Sequence, residues 1–221
     1  MKMKNKANES LPNLHAIYCG VSGSGKTQAM AQNQVLKGKN VRALLWDTHQ
    51  SFKAEHYNNI PSLIKALRAA EKRKGGYRIA YNGIKTPEAF EKLCELVLSE
   101  EWLNADKQNV FVVDELASVS SAIGKDTSNF GDILRETRKF NIVVLCSATS
   151  AAEIPKTAFK NCMTKVIGAQ GSKSDAQTMA DLLLIKPELL YDTELEPLTF
   201  WLKLPGKPAV KYDVKYKKPP L

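Results

Sequence analysis

Gly20-Val21-Ser22-Gly23-Ser24-Gly25-Lys26-Thr27 matches the pattern G-x-x-x-x-G-K-[ST] at every fixed position. The apolar run Leu14 to Cys19 before it reads as a strand, and Thr27 to Leu36 after it reads as a helix. Strand, glycine loop and helix in that order make a phosphate-binding loop. The glycines let backbone N–H groups turn inward toward phosphate oxygens, and the helix start adds a positive dipole end. In this reading the loop from Gly20 through Val21, Ser22, Gly23, Ser24 and Gly25 wraps a triphosphate. Lys26 reaches its β and γ phosphates, and the Thr27 hydroxyl ligates Mg²⁺.

Working outward, apolar strands alternate with helical patterns. Val41 to Trp46 reads as a buried strand ending at Asp47, Ile60 to Lys72 as a helix, Tyr77 to Tyr81 as a strand and Pro87 to Leu98 as a helix. The next strand, Asn109 to Val113, delivers Asp114 and Glu115 at its C-terminal end. A helix over Asn129 to Phe140 follows, then the strand Ile142 to Cys146, a helix after Pro155, the strand Thr164 to Gly168 and a helix over Asp175 to Leu184. Leu198 to Leu202 reads as a last strand. This alternation predicts an α/β fold with a mostly parallel central sheet flanked by helices, and ligands gathering at the C-terminal strand ends.

The second chemical landmark is the pair at the end of the Asn109 to Val113 strand. Asp114 is placed to hold the Mg²⁺ shell, and Glu115 to take a proton from an attacking water. The pair implies hydrolysis. With no N-K-x-D stretch for guanine, ATP is the expected nucleotide. Water attack on a γ phosphate also needs positive charge, commonly from an arginine. Arg135 and Arg138, at i and i+3 on one helix, are the candidates, and the polar cluster Ser147-Ala148-Thr149-Ser150 after the Ile142 to Cys146 strand is placed to sense the γ phosphate or attacking water, with Thr149 the first choice.

Composition narrows the setting. At 221 residues the chain accommodates one large α/β domain but not two motor domains, which excludes two-domain helicases despite the Ser147-Ala148-Thr149 triplet. No apolar run approaches the roughly 20 residues of a membrane span, and the N-terminus lacks a signal-peptide core, so a cytoplasmic protein is expected. The four cysteines have no metal-ligand spacing and sit mostly in apolar runs. The net charge of +9 divides into +2 over residues 1–10, +5 over 203–221 and +2 over everything between. The expected organisation is a basic tail at 1–12, an ATPase domain at 13–204 and a basic tail at 205–221, the tail lysines either contacting a polyanion or standing as solvated ends.

Several segments together resemble the FtsK/HerA branch of P-loop ATPases. Trp46-Asp47-Thr48-His49-Gln50-Ser51-Phe52 is similar to the family's second-strand ending, with Asp47 and His49 retained. Arg138-Lys139-Phe140-Asn141-Ile142 is similar to its entry to the next strand, with Asn141 in place of a glycine. The stretch Ser150 to Pro155, with Asn161 and Thr164, is similar to the segment after it, although Thr149 stands where the family usually has a sensor glutamine. The likeness covers roughly residues 14–185 and implies a RecA-like fold of the ASCE type. Stand-alone members of this size look like the genome-packaging ATPases of internal-membrane tailless bacteriophages and related viruses.

That resemblance implies a Mg-dependent ATPase that translocates double-stranded DNA into a preformed capsid. It also implies a homo-oligomeric ring, such as a hexamer, and a capsid vertex protein as partner. The rival expectations are a helicase loader, which shares both nucleotide motifs, a small-molecule kinase, and a vertex protein that binds ATP without turning it over.

Overall fold

The structure, a computed structural model, describes residues 7–116, 126–191 and 195–219. Lys2, Lys4 and Lys6 of the expected N-terminal tail lie outside the described residues. Within them, nine strands form one sheet in the order β3-β4-β2-β5-β6-β1-β7-β8-β9. The strands are β1 (Ala16–Cys19), β2 (Arg42–Trp46), β3 (Glu55–Tyr57), β4 (Tyr77–Tyr81), β5 (Asn109–Val113), β6 (Ile142–Ala148), β7 (Thr164–Ile167), β8 (Thr199–Lys203) and β9 (Val210–Asp213). The first seven run parallel and the last two antiparallel. Five of the parallel strands therefore deliver Gly20, Asp47, Asp114, Thr149 and Gly168 to one edge of the sheet. The α/β, mostly parallel architecture read from the alternation is the one observed.

The central strands are apolar on both faces because both faces are covered. Alternate residues Ile17, Leu44, Phe111 and Val144 face one core with helices α2 (Ile60–Glu71), α3 (Pro87–Val97), α4 (Asn129–Glu136), α5 (Lys156–Asn161) and α6 (Lys173–Leu183). Their neighbours Ala16, Leu45, Val112 and Leu145 face a second core closed by helix α1 (Lys26–Ala31), Phe200 and Val214. In the first core Trp46 stacks on Tyr81 with centroids 5.0 Å apart and meets Phe90 edge-on at 5.3 Å, which fixes the end of β2 beneath Asp47.

Helix starts follow their chemistry. Asn59 and Thr86 each accept a backbone N–H three residues on, from Ser62 and Ala89, and each helix carries a proline in its first two positions. Asn141, standing where the resemblance has glycine, adopts φ 58°, a left-handed turn that glycine and asparagine enter at least cost.

Several elements differ from the reading of the sequence. The helix expected over Thr27 to Leu36 is α1 alone, because the Asn33 side chain accepts from Val35 N–H and restarts the chain as a short 3₁₀ turn. The strand β3 is a three-residue edge partner of β4, too short for its period to show. The stretch from residue 205, expected as a free basic tail, carries β9 on the antiparallel edge. Beyond it Gln28 Nε2 donates to Lys217 O at 2.5 Å and Gln32 Nε2 to Lys215 O at 2.7 Å, so the segment docks along α1.

His15 joins β1 to β6 through its side chain: Nδ1 accepts the Val144 N–H at 3.0 Å, with the ring fully buried. Burial, reinforced by the Arg138 charge, pulls its pKa from 6.5 down to about 4. The folded state thus holds the neutral ring while the unfolded chain takes up a proton near 6.5. This contribution is complete above that pH and is lost as pH falls through 4, on the order of 3 kcal/mol in all. Denaturant unfolding at pH 7 and pH 4 is expected to show a smaller loss of stability for His15→Gln than for wild type; equal losses would contradict this.

Candidate functional site

The loop between β1 and α1 curls with Gly20, Gly23 and Gly25 at φ 159°, 79° and 91°, the last two in the left-handed region. It is braced from outside: Val21 N–H donates to Ala169 O at 2.8 Å, and Leu198 N–H to Ser24 O at 2.9 Å. Val214 N–H in turn donates to Leu198 O at 2.9 Å, so the C-terminal strands hold the loop's shape. Leu198 itself sits at φ 71°, a costly backbone for a branched side chain. Inside the loop the Lys26 ammonium folds back on Gly20 O at 2.8 Å and Val21 O at 3.0 Å. Burial lowers its pKa, opposed by the negative field of Asp114 and Glu115. The Ser24 hydroxyl is buried with no partner among the described residues.

The strand order places β6 between the strand that enters the loop and β5, which ends in the acidic pair. The Thr27 hydroxyl lies 3.3 Å from Asp114 Oδ2, and the Ser147 hydroxyl on β6 donates to Asp114 Oδ1 at 2.6 Å. Burial raises the Asp114 pKa, while the Ser147 and Thr27 hydrogen bonds pull it down. Ser147 also accepts the Glu115 N–H at 2.9 Å, which holds Glu115 at φ 62°, another left-handed backbone. The Glu115 carboxylate turns toward solvent, where Oε2 lies 2.9 Å from Lys85 Nζ and 3.1 Å from His49 Nε2. The hydrogen bond from Lys85 holds the Glu115 carboxyl below the usual range, with His49 adding to it.

These residues suit a magnesium-bound triphosphate. Among the described residues no cluster of His, Cys, Asp or Glu is large enough to hold a metal alone. One hydroxyl and one buried carboxylate side by side are instead what an ion that keeps waters and phosphate oxygens requires. The partnerless Ser24 hydroxyl and the lysine parked on loop carbonyls are polar groups without an external ligand.

The structure brings together Gly20 to Thr27, Asp114 and Glu115, and it carries Thr149 to the same edge of the sheet, but it does not bring the two arginines there. Arg135 donates to Asp126 O and Asp132, both at 2.6 Å. Arg138 lies at the opposite edge of the sheet, ahead of β6, held by Glu9 and Leu11 O. Thr149 is exposed just past β6, and Ser147, two residues earlier, is the side chain that touches the acidic pair. Asp47 is buried and structural, accepting from Ser51 N–H at 2.8 Å, Phe52 N–H at 3.0 Å and His56 at 2.9 Å. Reading the sequence placed Ser147 in the candidate cluster Ser147 to Ser150 but preferred Thr149, and it missed Lys85. Lys85 lies just past the C-terminal end of β4, so the edge rule that found the cluster was the available signal there too.

No protein-family model matches the chain. It is 31% identical over 219 residues to Protein P9 of Pseudoalteromonas phage PM2, spanning 98% of this chain and 97% of that one. In fold it is similar to the genome packaging NTPase B204 of Sulfolobus turreted icosahedral virus 2, solved with AMPPCP. The TM-score is 0.71 at 12% identity, over 93% of this chain and all of that one. It is also similar to EssC (ATPases 2 and 3) of Geobacillus thermodenitrificans, with TM-score 0.57 and 16% identity over 91% of this chain and 39% of that one. The fold is that of the P-loop NTPases, and the chain belongs to the family of the phage protein P9.

Two glycine substitutions separate backbone strain from crowding in the loop. A Cβ at Gly23 would meet nothing within 4 Å, whereas one at Gly25 would come within 2.5 Å of Leu198 Cδ2. Gly23→Ala is expected to cost about 1–2 kcal/mol from the left-handed backbone alone. Gly25→Ala should cost more and lower the melting temperature further. Equal melting temperatures would mean that the Leu198 side chain yields without cost to a Cβ at Gly25.

Proposed function

We propose that this member of the P9 family is a Mg-dependent ATPase of the FtsK/HerA type that drives double-stranded DNA into a viral capsid. The observation that carries the reading is the Thr27–Asp114–Ser147–Glu115 chain of contacts, which sets a hydrolytic carboxylate beside a phosphate loop. The similarity in fold to a viral genome packaging NTPase over nearly the whole chain, and the phage relative of equal length, support the packaging role.

Each residue then has a task. The loop amides and the Ser24 hydroxyl bind the triphosphate oxygens, and Lys26 exchanges its two loop carbonyls for phosphate. Thr27 and Asp114 would hold a magnesium ion, which when bound would supply neutralising charge at the phosphates. Glu115 accepts a proton from the attacking water, and for this its carboxylate must exchange the Lys85 and His49 contacts for that water. His49, Lys85 and Ser147 act as positioning residues through Glu115 and Asp114.

Arg135 and Arg138 are both engaged away from their own loop, which is compatible with either serving the site of a neighbouring copy. The reading includes a homo-oligomeric ring around DNA, supported by the likeness in fold to a viral genome packaging NTPase, with a capsid vertex protein as its dock and the host cytoplasm or virion as its location. No helix among the described residues is long and apolar enough to cross a membrane.

Glu115→Gln is expected to retain ATP binding and lose turnover by at least about 10²-fold, whereas Lys26→Ala weakens binding itself. Undiminished hydrolysis by the glutamine variant would remove Glu115 as the base. Arg135→Ala or Arg138→Ala should lower turnover on the order of 10³-fold, and mixing that variant with Lys26→Ala should recover activity through hybrid sites. Normal turnover by both arginine variants would place the arginine elsewhere.

A further inference from the structure

The edge of the sheet opposite the nucleotide loop carries a groove of about 720 Å³. Its walls are three turns at the N-terminal ends of adjacent strands: the turn before β2, the turn between α2 and β4, and the turn before β5. They contribute Lys37, Lys39, Arg73, Lys74 and Lys107, all exposed, and no acidic side chain lines the groove. None of these five cations forms an ion pair among the described residues. The carboxylate that stands behind them is already used, since Glu71 accepts from the buried Arg42 and from the Tyr77 hydroxyl. The positive surface continues along the outer side of α2, where Lys65, Arg68 and Lys72 border a second shallow groove.

Five exposed cations in one concavity create a positive local potential that attracts a polyanion. The lining chemistry discriminates among polyanions. Apart from Arg42, which is held by Glu71, the remaining polar side chains are the amides Gln34, Asn40 and Gln108, donors of the kind that contact phosphate and sugar. The groove presents no aromatic side chain on which a base could stack, so single-stranded recognition does not fit. It is not flanked by exposed Trp, Phe or Leu as a surface that enters a lipid interface would be. Neighbouring strands are about 4.8 Å apart, so the three turns spread the cations over roughly 10–15 Å, the scale of a duplex groove.

We propose that this groove binds the phosphate backbone of duplex DNA, at the edge of the sheet away from the nucleotide site. The proposal rests on the reading that the chain acts on DNA and assigns where one contact lies. The five residues of β2 set the two edges about 16 Å apart at 3.3 Å per residue. The groove therefore sits across the core from the chemistry, and substitutions in its rim leave the phosphate loop and the acidic pair intact. The C-terminal lysines, whose backbone is tied to α1 at Lys215 and Lys217 while their side chains stay exposed, are the rival contact that the test compares with it.

The test uses the full chain in three forms: wild type, a groove variant with Lys39→Glu, Arg73→Glu and Lys107→Glu, and a tail variant with Lys211→Glu and Lys215→Glu. Duplex binding is measured over a salt series, with DNA-free ATP hydrolysis and thermal unfolding as controls. Each lost phosphate contact reduces the slope of log affinity against log salt by about 0.9. The groove variant is expected to lose about 2–3 from that slope and at least about tenfold in affinity at the lowest salt. Its DNA-free hydrolysis should be unchanged and the tail variant should stay close to wild type. A neutral set, Lys39→Gln, Arg73→Gln and Lys107→Gln, should fall between wild type and the reversal, which excludes misfolding as the cause.

The proposal is overturned if the groove variant binds duplex with wild-type affinity and slope, whether or not the tail variant fails. It is overturned equally if its binding to phosphatidylglycerol vesicles is lost while duplex binding persists. If wild type hydrolyses ATP but binds no duplex, the DNA reading itself falls and the groove assignment with it.

Discussion

A carboxylate buried at the end of a strand is the constraint on which the site depends. Asp114 is 6% exposed, and burial opposes its charge. It is retained because hydroxyls from two other segments, Ser147 on β6 and Thr27 on α1, are aimed at it. That requires β6 to lie between β1 and β5 in register, with Cys19 opposite Ala148 and Val113 opposite Cys146. Sheet order, strand register and the position of the phosphate loop are therefore fixed by one set of polar contacts at the top of an apolar sheet. The left-handed backbones of Glu115 and Leu198 belong to the same system: one turns a carboxylate outward and the other braces the loop.

Much of this was legible in the sequence because it depends on local chemistry. The motif Gly20 to Thr27 requires its φ values wherever it occurs, and the apolar runs of β2, β5 and β6 admit only buried strands. Asn141 was readable as a glycine substitute, and its φ of 58° gives the reason. What was not legible depends on pairing between distant segments. Lys85 meets Glu115 across 30 residues, and nothing in its local pattern distinguishes it from a surface lysine. Thr149 was preferred to Ser147 as the residue past the expected strand end, but β6 runs two residues longer and turns Ser147 inward. The strand β9 pairs only with β8, and its sequence reads as a polar tail until that partner is present.

The groove illustrates the same limit for charge. Counting over residues 11–202 gives only +2, because acidic residues elsewhere cancel the lysines and arginines of the Lys37, Arg73 and Lys107 turns. The fold sorts what the sum conceals: parallel strands collect their C-terminal ends around the acidic pair and their N-terminal ends around a basic groove. A sheet packed on both faces between them is a stiff coupling element, since close-packed cores transmit displacement rather than absorb it. Nucleotide chemistry at one edge and backbone contact at the other would be joined through β2, β4 and β5, the strands that lead from the groove toward His49, Lys85 and the acidic pair.

The central claim is that hydrolysis at this site serves work on DNA. The most direct measurement is phosphate release by the intact chain with magnesium and ATP, in the presence and absence of blunt double-stranded DNA free of a specific sequence. The account predicts hydrolysis that needs magnesium and that rises several-fold with duplex, with little response to free nucleosides or to small phosphate acceptors. Turnover indifferent to duplex but rising with a small phosphate acceptor would contradict it and leave a phosphotransferase in place of a motor.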